Sequence, residues 1–132
     1  LLYRLKELTC QINFRKNHPL LDNFTKEGLW NFPFVDFVNQ STYAYGEYQQ
    51  YINPHKMIKV DHHSLRNKII NETNAFSIGI PTPKQINNPY QIVGIPTPEL
   101  KMVICEIRRS SDKDDLMFNH LRQKIEDDLL RF

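Results

Sequence analysis

Apolar residues recur at helical spacing near both ends of the chain and alternate with polar ones between. Leu1, Leu5, Leu8 and Ile12 follow a three- and four-residue rhythm. The stretch Leu8 to Phe14 also alternates as a strand would; the expectation is a helix that gives way to extended chain by Arg15, so 1–20 is read as a helical N-terminal extension. His18-Pro19 marks a break, because the residue before a proline avoids the helical region. Residues 24–107 form the sheet region. Trp30, Phe32 and Phe34 show period two, as do Thr42 to Tyr45, which predicts two strands about a turn at Asn39-Gln40-Ser41, with Pro33 marking an edge or a bulge. Met57 to Val60 reads as a short strand, and Ser64 as the cap of a short helix through Leu65, Ile69 and Ile70.

Three further strands are expected at 76–80, 90–95 and 100–107. The run Met102-Val103-Ile104-Cys105 predicts burial on both faces of the last one. Gly-Ile-Pro-Thr-Pro occurs at 79–83 and again at 94–98, where paired prolines are expected to stop each strand. Residues 111–132 give the clearest element. Ser111 and Asp114 form a capping box, and Phe118, Leu121, Ile125, Leu129 and Phe132 fall on one helical stripe. Such a stripe must be covered, and the neighbouring strand around Val103 and Ile104 is the expected cover. These elements predict an α+β fold: an antiparallel sheet or partly open barrel with the C-terminal helix packed on it.

The length of 132 residues suits one domain. Periodic apolar sequence at both ends suggests a fragment of a longer protein. With 40% hydrophobic and 24% charged residues, the chain can bury a core without metal or disulfide. No apolar run reaches the ~20 residues of a membrane span. The net charge of +2 leaves an acidic partner open. Cys10 and Cys105 are too few for a disulfide scaffold and are expected to be buried thiols. Three N-x-[ST] sequons occur, at Asn23, Asn39 and Asn71; an asparagine-rich chain produces one or two by chance, so they point only weakly to secretion. The expected compartment is intracellular, cytoplasm or nucleus, with secretion left open.

The strand Met102 to Ile107, the polar turn and the helix from Ser110 to Ile125 resemble the close of a pleckstrin-homology-like domain, with Phe118 where that family usually places a tryptophan. Lys26-Glu27-Gly28-Leu29-Trp30 is similar to the family's opening strand. Residues 31–54 contain no Lys or Arg, so phosphoinositide binding does not follow, and the resemblance implies a domain that holds a peptide or partner protein. An RWD-like sheet with helices is the alternative fold.

Asp61-His62-His63 matches a fragment of a metal-dependent phosphoesterase motif, and Glu99-Leu100-Lys101 matches half of a nuclease motif with Asp61 as a third member. Both lack the remaining ligands. No phosphate loop, nucleophile elbow or dinucleotide fingerprint occurs. A metal-dependent nuclease or phosphoesterase is therefore a minor alternative, and the chain is expected to be no enzyme and to need no cofactor or metal.

The expected function is a non-catalytic protein–protein interaction module or subunit of a larger assembly, with another protein or a peptide as partner. The aromatic residues Trp30, Tyr43, Tyr45, Tyr48 and Tyr51 are the candidate contact patch, because aromatics are enriched at interfaces. The alternative is nucleic-acid binding, with Lys56, Lys59, Arg66 and Lys68 on phosphates. Thr82 and Thr97, each before a proline, are candidate phosphorylation sites.

Overall fold

The computed structural model describes residues 2–38, 56–80 and 91–130. One long strand, β1 (Leu2–Phe14), organises it, where a helix was expected. Period two prevails over the helical rhythm because a strand puts alternate residues on one face: Leu8, Cys10, Ile12 and Phe14 are all buried. β1 is the middle of a three-stranded antiparallel sheet, between β4 (Ser77–Gly79) and β5 (Val93–Ile107). β4 meets only its end, Gln11 to Asn13, whereas β5 follows it from Phe14↔Val93 to Leu2↔Ile107.

The strands expected at 90–95 and 100–107 are thus one strand. Pro96 and Pro98 lie inside it instead of ending it, which an edge strand tolerates where the missing N–H would point away from the ladder. The register slips between Thr9↔Lys101 and Cys10↔Thr97. Pro98, Glu99 and Leu100 bulge there, and Leu100 turns fully into the core.

A second sheet pairs β2 (Phe34–Phe37) with β3 (Met57–Val60) in parallel. Met57 to Val60 is the strand the sequence suggested, but its direction departs from the all-antiparallel expectation. Glu27–Asn31 is a 3-10 turn, so neither a Trp30–Phe32 strand nor an opening strand at Lys26 to Trp30 exists. The partner strand expected at Thr42 to Tyr45 lies outside the described residues. A parallel bridge, Phe34↔Phe76, joins the two sheets, with the Val35 amide donating to the Phe76 carbonyl at 2.8 Å. After β3 comes α1 (His63–Glu72). His62 caps it, not Ser64: its Nδ1 accepts from the Ser64 amide at 3.1 Å.

The core lies on both faces of this assembly. Cys10, Ile12, Phe14, Leu29, Phe34, Phe76, Ile78 and Leu100 form one cluster; Val35, Val60, Ile70 and Ala75 form the other. Phe34 and Val35 are adjacent yet feed opposite clusters, as strand alternation requires.

Beyond Leu8 and Lys101, β1 and β5 continue as a two-stranded ladder, flanked by α2 (Leu116–Leu129). Asp115 caps α2, its Oδ1 accepting from the amides of Met117 (2.9 Å) and Phe118 (3.3 Å); Ser110–Asp112 is a 3-10 turn, so the helix starts later than the expected Ser111 box. Of the apolar stripe, Leu129 is buried, while Phe118, Leu121 and Ile125 are 39, 50 and 39% exposed. The expected seat on Val103 and Ile104 is not made: both are only half-buried, and Met102 and Cys105 are exposed. Polar contacts hold the helix instead. Lys6 donates to the Leu129 carbonyl, and the Arg122 guanidinium lies 4.1 Å from the centre of the Tyr3 ring. The result is a mixed α+β fold with an antiparallel sheet and a C-terminal helix, and its ladder does not close into a barrel among the described residues.

Candidate functional site

Parallel strands bring their C-terminal ends and the start of the next helix to one edge, the usual place for ligands in α/β sheets. Here that edge collects the ends of β2 and β3 and the first turn of α1. Asp36 and Lys59 are register partners. Asp36 is buried; its Oδ1 accepts from the Phe37 amide at 2.9 Å and its Oδ2 lies 3.4 Å from Lys59 Nζ. The Phe37 ring stands between two side chains of α1. The His63 ring meets it edge-on at 4.6 Å, and the Arg66 guanidinium lies 5.1 Å from its centre. Burial lowers the Arg66 pKa from its ordinary value, yet a guanidinium keeps its charge, and the aromatic face compensates part of its lost hydration. Asp61, His62, His63 and Ser64 are exposed around this cluster, as is Val38 on the β2 side.

The edge therefore offers a cation, imidazoles, a hydroxyl and an apolar ring within a few residues of one another. That set suits recognition of a small polar molecule. Among the described residues no three His, Cys, Asp or Glu side chains gather as a metal group, so Asp61, His62 and His63 do not meet Glu99 in the arrangement that the nuclease motif needs. Lys101, its other member, pairs instead with Glu7 across the ladder at 3.2 Å.

Of the residues suggested by sequence, Arg66 belongs to the Phe37 cluster, while Lys59 pairs with Asp36 on the opposite face of the parallel sheet. Lys56 and Lys68 are exposed and take no part in the cluster described above. Trp30 is half-buried and packs against the larger core cluster. Tyr43, Tyr45, Tyr48, Tyr51 and Thr82 lie outside the described residues. Thr97 is fully buried and its Oγ1 donates to the Cys10 carbonyl at 2.9 Å, so it is closed to a kinase in the folded chain. Asp36 and Phe37 were missed. Their signal is faint: a single carboxylate in the apolar run Phe34 to Val38.

No protein-family model and no curated protein matches the chain. Solved structures do. A candidate transcriptional regulator from Vibrio parahaemolyticus superposes with a TM-score of 0.73 at 13% identity, covering 96% of this chain and 63% of that one. The regulatory domain of MetR, a LysR family regulator from N. meningitidis, gives 0.68 at 14%, covering 96% and 65%. The effector binding domain of a BenM variant gives 0.58 at 12%, covering 84% and 58%. This chain thus spans less than two thirds of each of these neighbours. The likeness replaces the pleckstrin-homology-like and RWD-like expectations with the fold of these regulatory domains. It also overturns the expected interaction module or assembly subunit, since the neighbours are regulatory and effector-binding domains; they are not enzymes either. No helix among the described residues is long and apolar enough to cross a membrane. At such low identity, what these structures share with the chain is the fold.

Proposed function

We propose that this chain is part of a regulatory domain that senses a small-molecule effector, within an intracellular transcriptional regulator. The observation that supports it most is the superposition of nearly the whole chain on regulatory domains, one of them effector-binding. The edge where Phe37, His63 and Arg66 converge is the effector contact surface on this reading. Phe37 supplies an apolar wall, and Arg66 favours a ligand carrying negative charge.

The bare face of α2 fits the same reading. About a third of each neighbour's own length lies outside the part shared with this chain, and a second lobe of that size would cover Phe118, Leu121 and Ile125.

The test is a two-dimensional NMR titration of the protein with a panel of small organic acids, amino acids and inorganic phosphate. At least one compound should saturate, with shifts concentrated at Phe37, Val38, Asp61 to Ser64 and Arg66. Arg66→Ala should weaken that compound by about tenfold or more, the loss of one charge-assisted contact. Shifts that cluster elsewhere, or silence across the panel, would refute the assignment.

A further inference from the structure

Among the described residues His18 is the buried histidine, 1% exposed. Both of its ring nitrogens are engaged. The Leu20 amide donates to Nδ1 at 3.0 Å, so in the neutral ring the proton sits on Nε2, which lies 2.8 Å from the Asn74 carbonyl. The ring is walled by Phe14 and Phe32, with centroids 4.5 and 4.6 Å away. Arg15 reaches the same turn, donating through Nε (3.0 Å) and Nη2 (2.8 Å) to Asn74 Oδ1.

His18 therefore fastens three pieces together: the exit of β1, the segment 19–32 with its two short 3-10 turns (Pro19–Leu21 and Glu27–Asn31), and the turn between α1 and β4. The segment it fastens is a lid on the larger core cluster. Leu29 within it is fully buried, and Leu20, Leu21, Phe24, Trp30 and Phe32 pack against that cluster. It leads directly into β2, which carries Asp36 and Phe37.

A second proton has no place in this pocket. It would sit on Nδ1 and point at the Leu20 N–H, replacing an accepted hydrogen bond with two opposed donors. The charge that faces the ring is the Arg15 cation, from the β1 exit. Lys16 and Asp22, the neighbouring charged residues, are exposed. Asn74, Phe14 and Phe32, from the other packed elements, are uncharged. We propose that His18 is a proton-operated latch, which holds segment 19–32 shut while neutral and lets it open when protonated.

Burial lowers the His18 pKa below its ordinary value of 6.5, and Arg15 adds to this, while the bond to the Asn74 carbonyl offsets part of it. A lowered value in the closed form means that the open form binds protons more readily. Closure is therefore fully favoured above the ordinary histidine value and is lost as pH falls towards the lowered one. Within that window the opening constant rises by up to about tenfold per pH unit.

Hydrogen exchange of the protein between about pH 7.5 and about pH 5 tests this, with rates corrected for intrinsic chemistry. In the native protein, amides of 19–32 should lose protection on acidification ahead of those of β1 and β4. His18→Asn, which keeps an oxygen for the Leu20 amide, and His18→Gln should both flatten the pH response at reduced basal protection. An unchanged response in these variants, or a flat one in the native protein, would overturn the latch. Should neither variant fold, ring nitrogen NMR decides. Titration below the ordinary histidine value, together with the loss of protection in 19–32, supports the latch; titration at or above that value, or without any change in the segment, overturns it.

Discussion

Arg108 Nη1 donates to Asn119 Oδ1 at 2.8 Å, which ties the exit of β5 to the first turns of α2. The same buried guanidinium donates to Glu106 through Nε and to the Lys113 carbonyl at 3.3 Å. With most of the apolar stripe of α2 exposed, this fork does what a hydrophobic seat does elsewhere. Arg108→Ala should destabilise the protein by roughly 2–4 kcal/mol, the range for breaking a buried charged network, and should speed amide exchange along α2. Arg108→Lys should recover little of it, because a point charge cannot serve several acceptors in fixed directions. Urea unfolding and exchange of α2 amides measure both.

Two apolar residues that look alike in the sequence should behave differently. Ile12 is fully buried between β4 and β5, and Ile12→Ala should cost roughly 2–5 kcal/mol. Leu121, half exposed, should tolerate Ser within about 0.5 kcal/mol. Equal losses in chemical unfolding would mean that α2 is covered in solution.

The cysteines should differ in reactivity. Cys10 is buried and Cys105 exposed, with no disulfide at either. Cys105 is paired with Arg4, six residues from Cys10 along β1, so the two thiols are about 20 Å apart. A thiol reagent should modify one cysteine in the native protein and the second only on unfolding. Mass spectrometry of the modified peptides identifies which.

Thr97 provides a fourth test. Thr97→Val removes its hydrogen bond to the Cys10 carbonyl and should cost about 1 kcal/mol. Thr97→Asp places an unpaired charge in a closed site and should prevent folding or cost several kcal/mol. Thermal unfolding of both separates a structural threonine from a regulatory one.

What the sequence made legible was mostly local. The Met57 to Val60 strand and the terminal helix follow from short patterns. Direction and partner were not, because pairing of β2 with β3 is a long-range choice that period two does not encode. The stripe Phe118 to Leu129 says that a face is to be covered and not by what, so the expected seat on Val103 and Ile104 had no support beyond adjacency. For β1, two rhythms coincide over Leu8 and Ile12, and only the burial of Cys10 and Phe14 decides between them. At the candidate site, Lys59, His63 and Arg66 each stood out by charge or motif. The pairing of Lys59 with Asp36, and the meeting of His63 and Arg66 at Phe37, are tertiary and left no mark on spacing.

Pro96 occupies a place in β5 opposite Gln11, on the outermost strand of its sheet among the described residues. Proline lacks the amide hydrogen through which one edge recruits another. A stray strand sliding along that rim would meet a gap at this position, then the interruption at Pro98. The same five-residue phrase that fails to end the strand thus discourages self-templating into fibrils along this rim.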